Sequence, residues 1–136
     1  GDLEEVAIRE LLRRRPETTL DVDIYQVGHH GSENGTTSDL LRAMSPQYAV
    51  MAVGDTVRRH SWTAWAYGHP RASIIDLLVG GVSGTREVVN EEIGLGMKSF
   101  TTRAITQAIY ATGWDGTVVL EGDRAGNIVR GTPDIP

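Results

Sequence analysis

The hydrophobic positions of the amino-terminal segment recur at helical spacing. In 3-LEEVAIRELLRRR-15, acidic residues occupy the first turn and arginines the last, an order that suits the helix dipole. We therefore expect a helix from Leu3 to Arg15, capped by Asp2 and stopped by Pro16. The residues predicted to form its apolar stripe are Leu3, Val6, Ala7, Leu11 and Leu12.

Extended and helical patterns then alternate along the chain. The run from Val22 to Val27 predicts a strand, and Thr37 to Met44 predicts a second helix. Tyr48 to Val53 is a continuous apolar run, typical of a strand that is covered on both faces. Pro70, at the first helical position, begins a third helix over 71-RASIIDLLV-79, which 80-GG-81 ends. Residues 1–80 are thus predicted to form an α-β-α-β-α core, a sheet with helices packed on it.

The pattern is weaker beyond that core. Glycines and mixed polarity in residues 81–107 predict an irregular insertion, a long loop with at most one helical turn. Residues 108–131 contain three short β-rich runs with turn signals at Asp115–Gly116 and Ala125–Gly126, which predict a small antiparallel meander. We expect residues 1–136 to form a single α/β domain.

Composition restricts the chemistry more than it restricts the fold. The 136 residues are 40% hydrophobic and 23% charged, values typical of a soluble globular domain. Because the chain has no cysteine, a metal site must use His, Asp or Glu. The net charge of −5 disfavours broad binding to duplex nucleic acid. Neither a signal peptide nor a transmembrane segment is visible, so the sequence leaves the compartment unknown.

Three of the four histidines follow predicted strands. His29 and His30 lie in 28-GHHGS-32 after the first strand, and His69 lies on the loop after the second. Ligands of α/β proteins bind at the carboxyl ends of strands, so these imidazoles are predicted to share one rim. If Asp2 joins them there, the set suits zinc or manganese. The alternative is a structural pair bonded to backbone carbonyls, with Asp2 serving only as a helix cap.

The loop 55-DTVRRHSWTAWA-66 interleaves basic and aromatic residues. Arg58 and Arg59 could bind phosphates while Trp62 and Trp65 stack on bases, as in proteins that bind single strands. The alternative is that the loop packs its tryptophans onto the body of the domain.

In this order, the GD pair at Asp2, HHGS at 29–32 and YGHP at 67–70 resemble the second half of a metallo-β-lactamase-fold hydrolase. The resemblance is closest to the hydrolase-like domain attached or related to the ComEC/Rec2 DNA-uptake channels of competence. It covers residues 1–80 well and 108–130 weakly. It implies a metallo-β-lactamase-like αββα sandwich, with only the C-terminal half present in this chain.

The resemblance also assigns roles to residues. It implies two divalent metal ions, zinc or manganese, with Asp2 bridging them and His30 binding one. His29 and His69 would be catalytic groups that hydrogen-bond or protonate the substrate, a phosphodiester such as single-stranded DNA or another small ester. The residues expected to contact substrate are Ser32, Arg58, Arg59, Trp62 and Trp65.

The H-x-H-x-D-H motif of that family is absent from this chain. A two-metal centre uses about six or seven protein ligands, so this chain alone is expected to bind metal only partially. We expect a fragment whose partner is the missing N-terminal half of the domain. Two alternatives stay open: a degenerate, non-catalytic binding or interaction module of the same fold, and a phosphorylcholine-esterase-like phosphoester hydrolase.

Overall fold

The computed structural model describes residues 2–15 and 17–133, in which short helices and strands follow one another closely. The helices are α1 (Glu5–Arg14), α2 (Ser38–Met44), α3 (Ala64–Tyr67), α4 (Ala72–Gly81) and α5 (Thr112–Asp115), with a 3-10 turn at Glu17–Thr19. The strands are β1 (Ile24–Gln26), β2 (Tyr48–Met51), β3 (Thr85–Gly96), β4 (Ser99–Gln107), β5 (Ile109–Ala111), β6 (Val119–Gly122) and β7 (Ile128–Gly131).

A three-stranded parallel sheet in the order β1-β2-β5 lies at the centre of the fold. Ile24 pairs with Tyr48, and Ala49 pairs with Ile109, so all three strands point the same way. Their carboxyl ends consequently meet at one edge, where parallel sheets place their ligand sites. The continuous apolar run of β2 is buried at Ala49 and Met51 but only half-buried at Tyr48 and Val50. The prediction that both faces of this strand are covered is therefore wrong within the described chain.

Helix α1 begins later and presents a different face than the sequence suggests. Glu4, not Asp2, occupies the N-cap position, and its side chain makes no capping hydrogen bond. The buried residue is Ile8, at 0% exposure, whereas Val6 of the predicted stripe is 75% exposed. The prediction that Asp2 caps the helix is thus wrong, and so is the placing of Leu3, Val6 and Ala7 in a buried stripe, because all three are exposed. Pro16, the predicted stop, lies outside the described residues.

Helix α4 supplies much of the core through Ile74, Ile75 and Leu78, and it contacts α2 and the β3–β4 hairpin. It starts at Ala72, so Pro70 precedes the helix and does not occupy its first position. Its last turn includes Gly80 and Gly81, which were predicted to terminate it. None of the described helices is long and apolar enough to cross a membrane.

Residues 81–107 do not form an irregular insertion. After α4 ends, they form the long antiparallel β3–β4 hairpin, in which Val89 pairs with Ile105 and Glu91 with Arg103. Ile93 and Ile105 are buried at 1% and 0% exposure, so one face of the hairpin belongs to the core. Alternate side chains of the hairpin point inward and pack on α4, and this packing stabilises strands despite the glycines in the segment.

Glycines allow this hairpin to pack closely against the loop that carries His69. A Cβ on Gly94 would lie 2.0 Å from the carbonyl oxygen of Gly68, and one on Gly68 would lie 2.1 Å from that of Gly96. The amide of Gly94 donates to the carbonyl of Pro70 at 2.7 Å. No side chain fits between these backbones, so the glycines that suggested a loop are required for close packing.

The carboxyl-terminal region is not a three-stranded meander either. Strand β5 joins the central sheet and runs parallel to β2, while β6 and β7 form a separate antiparallel hairpin. The turn between β6 and β7 lies at the predicted Ala125–Gly126 pair. Asp115 ends the single helical turn α5 that follows β5.

Asp115 joins these parts through a half-buried charge cluster. Its carboxylate accepts hydrogen bonds from Arg86 of β3, Arg130 of β7 and the amide of Ala111 at the end of β5. Both guanidinium groups also stack on the ring of Tyr110, at 4.4 and 4.7 Å from its centre. Hydrogen bonds from the two arginines hold the pKa of Asp115 below its usual value, although burial alone would raise it.

The Asp115→Ala substitution tests this cluster. It leaves two arginines without their shared anion, and removing one member of a buried ion pair costs about 3 kcal/mol. We expect a loss of about that size in the free energy of unfolding, measured by urea denaturation. The exposed pair of Asp39 and Arg42 provides the control, since Asp39→Ala should change stability by less than about 0.5 kcal/mol. Equal effects of the two substitutions would contradict a structural role for Asp115.

Candidate functional site

The carboxyl edge of the sheet opens into a pocket of about 610 Å³. All three parallel strands contribute to it, because each is followed by residues that form its walls. The residues around it are His30, Ala52, Val53, Gly54, Trp62, Thr63, Ala64, Tyr67, His69 and Thr112. Two of the predicted site histidines, His30 and His69, therefore share one open pocket.

The turn that follows β1, residues 28–35, is called here the histidine turn, and its backbone is strained. His29 and His30 both adopt left-handed conformations, with φ of 48° and 54°. Such a conformation costs about 1 kcal/mol for a residue with a side chain. Two in succession persist only where surrounding contacts enforce them, which is a property of functional sites.

The contacts that enforce the histidine turn come from Tyr25 and from small residues. The Tyr25 hydroxyl lies 2.8 Å from Thr36 Oγ1 and donates to the Gly35 carbonyl at 3.2 Å. A Cβ on Gly35 would lie 2.6 Å from the carbonyl oxygen of Gly28, so the two ends of the turn are in direct contact. The backbone of Ser32 closes the turn, since its amide donates to the His29 carbonyl at 2.8 Å.

One hydrogen bond fixes the tautomer of His30. Its Nδ1 lies 2.5 Å from the carbonyl oxygen of Ala52, just after β2. A carbonyl can only accept, so Nδ1 carries the proton and Nε2 keeps a free lone pair. Histidines that bind metals are oriented in this way, with the second nitrogen donating to an oxygen. The ring is exposed at the rim of the pocket.

His29 is oriented by a side chain instead of the backbone. Its Nδ1 lies 3.0 Å from Oδ1 of Asn34. This oxygen accepts a hydrogen bond from the Nδ1–H group, so Nε2 is again left as an acceptor. The ring is half-buried and meets that of His30 edge-on, with 6.4 Å between ring centres. His29 does not line the pocket. Of the two neighbours, the geometry thus favours His30 as the pocket-facing ligand.

His69 is held differently, by stacking and burial. Its ring lies parallel to that of Tyr67 at 5.9 Å, and its Nδ1 is buried with no hydrogen-bond partner in the described chain. Burial lowers the pKa of His69 to about 4, with smaller contributions from Arg71, His29 and His30 and an opposing one from Glu33. His69 is therefore neutral at pH 7.

The two pocket histidines offer complementary groups. A buried N–H group without a hydrogen-bond partner is rarer than a buried acceptor without one. The favoured tautomer of His69 therefore has no hydrogen on Nδ1 and carries it on Nε2. With its hydrogen on Nδ1, His30 presents an acceptor at Nε2, and His69 presents a donor. Since His69 is neutral near pH 7, it can donate a hydrogen bond to a substrate oxygen but does not begin as a cationic acid.

The other predicted metal ligand, Asp2, is exposed near the start of α1. Among residues 2–15 and 17–133, no group of three or more His, Asp or Glu side chains is placed to hold a metal ion. The convergence of Asp2, His30 and His69 on one point is thus not found. Zinc sites use at least three protein ligands, so these residues do not complete a metal centre.

The predicted substrate-contacting residues separate into two groups. Arg59, Trp62 and Trp65 line a second groove of about 510 Å³ that shares Trp62 and Tyr67 with the histidine pocket. Arg58 lines neither cavity and pairs with Asp55 at 3.7 Å. Ser32 also lines neither of them, and it supports the histidine turn through its backbone.

Sequence reasoning missed several residues of this region. Thr112 fixes the pocket wall, because its hydroxyl donates to the Val53 carbonyl at 2.7 Å and accepts from the Val53 amide at 2.9 Å. Tyr67 stacks on His69, Asn34 orients His29, and Lys98 reaches the second groove from the hairpin tip. Asn34 lies close enough in sequence to the histidines for a turn-type hydrogen bond to be expected. No local pattern marks the others.

Comparison with known proteins finds a relative of part of this chain. ComE operon protein 3 of Bacillus subtilis (strain 168) is 30% identical to this chain over 78 residues. The similarity is to a competence-related protein. The matched region covers 57% of this chain but only 9% of that protein, so the chain corresponds to a small part of its relative. No protein-family model and no solved structure matches the chain.

The lowered pKa of His69 predicts a pH-dependent stability. Because the folded value of about 4 lies below the ordinary 6.5, the unfolded chain takes up this proton first as the pH falls. The contribution is complete above pH 6.5 and is lost as the pH falls through 4. Replacing His69 by Gln should therefore reduce the loss of stability between pH 7 and pH 4, as measured by urea denaturation.

The same substitution at the exposed His60 serves as the control, and it should leave the pH dependence as in the parent protein. An NMR titration of the His69 ring with a midpoint near 6.5 would contradict the buried, neutral state described here.

Proposed function

We propose that this chain is the substrate-facing part of a metal-dependent hydrolase domain of metallo-β-lactamase type, acting on a phosphodiester such as single-stranded DNA in a competence-related protein. The observation that carries the proposal is that His30 and His69 line one pocket, with the Nδ1 of His30 hydrogen-bonded to a backbone carbonyl. The similarity to ComE operon protein 3 supports the competence setting.

The arrangement suits a role as one half of a metal site. His30 supplies one oriented imidazole lone pair, and the remaining ligands would come from a segment outside the described residues. A divalent cation held there would polarise a phosphoryl oxygen or activate water. Because the described residues do not complete the centre, no catalytic step is assigned to them beyond the hydrogen bond that His69 can donate.

A non-catalytic binding module is the second candidate. The observation that favours it is the lack of a third converging carboxylate or imidazole among the described residues. In that case the histidine turn would serve only to shape the pocket, and the chain would bind its ligand without cleaving it.

The proposal makes this chain part of a longer protein, and hydrolysis by that protein separates the two candidates. We expect cleavage of labelled single-stranded DNA in the presence of Mn²⁺ or Zn²⁺, and a loss of at least about 100-fold for His30→Gly because a metal ligand is removed. Glycine accepts the left-handed φ of 54°, so this variant should fold. Ser45→Gly, at another exposed left-handed position with φ of 45°, is the matched control and should cleave like the parent.

Metal affinity of the isolated chain gives an independent measurement. We expect weak zinc binding in calorimetry, lost in His30→Gly and kept in Ser45→Gly. Cleavage that survives His30→Gly would contradict the ligand role of His30. A longer protein that binds DNA but does not cleave it with any divalent ion would favour the binding module.

A further inference from the structure

Two residues with strained backbones line the second groove. Trp62 has φ of 65° and Lys98, at the tip of the β3–β4 hairpin, has φ of 58°. At such positions glycine is relaxed, whereas Trp and Lys cost stability. Both side chains line the same groove. Because strained backbone conformations cluster at functional sites, the two residues together indicate a role for the groove.

The Trp62 ring is unusually available. It is 86% exposed, and its only aromatic neighbour in the described chain is Tyr67, whose ring centre lies 6.3 Å away at a tilt of 55°. The alternative prediction, that the loop packs its tryptophans onto the domain, thus fails for Trp62. A wide aromatic face held open to solvent is the feature on which nucleic-acid bases stack.

The positive charge of the groove is also uncompensated. Lys98 is held in place by its amide, which donates to the Trp65 carbonyl at 3.1 Å, and its ammonium lies 5.4 Å from the Trp65 ring centre. Neither Lys98 nor Arg59 has an ion-pair partner within residues 2–15 and 17–133. Arg58 differs, since Asp55 pairs with it. Two cations thus flank one exposed indole.

We propose that this groove, bounded by Arg59, Trp62, Trp65, Tyr67 and Lys98, binds single-stranded nucleic acid. One base stacks on Trp62, and the adjoining phosphates contact Arg59 and Lys98. The strand continues into the histidine pocket, which shares Trp62 and Tyr67 with the groove. The route into that pocket rests on the function proposed above, whereas binding in the groove does not.

The chemistry of the groove favours this ligand over a simple polyanion. The chain carries a net charge of −5, so its overall electrostatic field repels nucleic acid. Binding must then depend on local cations together with stacking. Duplex DNA, whose bases are already stacked, offers no free face to Trp62.

The test is fluorescence anisotropy of a labelled oligothymidylate of about ten nucleotides, with EDTA present and at low salt. The parent chain should bind it more tightly than a duplex of equal length. Trp62→Gly and Lys98→Gly should each weaken binding by about tenfold or more, since each removes one contact type. Both variants should unfold at the same temperature as the parent or higher, because glycine relieves the left-handed backbone.

Arg124→Ala removes an exposed cation from the β6–β7 turn and should bind as the parent does. Polyphosphate should compete only weakly. Unchanged binding by Trp62→Gly and Lys98→Gly, no binding by the parent, or equal competition by polyphosphate would overturn the proposal. Since EDTA prevents metal-dependent cleavage, a failed hydrolase assay with intact binding removes only the proposed function. Cleavage without groove-dependent binding removes only this inference.

Discussion

The close contact between the histidine turn and Pro70 is the constraint on which the site depends. A Cβ on Gly31 would lie 2.7 Å from the Cβ of Pro70, and the Gly31 carbonyl accepts the Arg71 amide at 2.9 Å. This contact joins the end of β1 to the start of α4. His30 immediately precedes Gly31 and His69 immediately precedes Pro70, so this single contact brings the two histidines to one pocket.

The β3–β4 hairpin gives that contact its support from the other side. Gly94 and Gly68 meet backbone to backbone, and the Gly94 amide bonds to the Pro70 carbonyl, so the loop carrying His69 is held between the histidine turn and the hairpin. The hairpin tip then brings Lys98 to the groove beside Trp62. Core packing of the hairpin through Ile93 and Ile105 thus fixes the position of Lys98 at the groove.

Local patterns predicted the elements that local interactions determine. The segment 71-RASIIDLLV-79 and the apolar run of residues 48–53 were sufficient to predict α4 and β2, although not the ends of α4. The strand-end position of the histidines indicated a shared rim, and a pocket lies there that His30 lines and His29 does not. The hairpin was missed because Gly94 and Gly96 suggested a loop, whereas they are needed for an approach by Gly68 that is distant in sequence. Strand β5 was placed in the wrong sheet because its pairing with β2 is equally non-local.

Site chemistry was predictable in kind but not in detail. Histidine identity and spacing indicated the pocket, yet the Ala52 carbonyl that orients His30 and the burial that lowers the pKa of His69 come from tertiary contacts. Asp2 was chosen by resemblance, and it does not converge with the histidines in the described chain. Resemblance in sequence assigned different roles to His30 and His29, and the fold places only His30 at the pocket.

The most direct measurement of the central claim is the tautomeric state of His30, read from ring-nitrogen chemical shifts in a long-range ¹H–¹⁵N spectrum at neutral pH. In the neutral ring we expect a protonated Nδ1, bonded to the Ala52 carbonyl, and a bare Nε2, whose resonance responds first when zinc is added. A proton on Nε2 would mean that the bond to Ala52 does not form. The histidine turn would then not present an oriented ligand to the pocket.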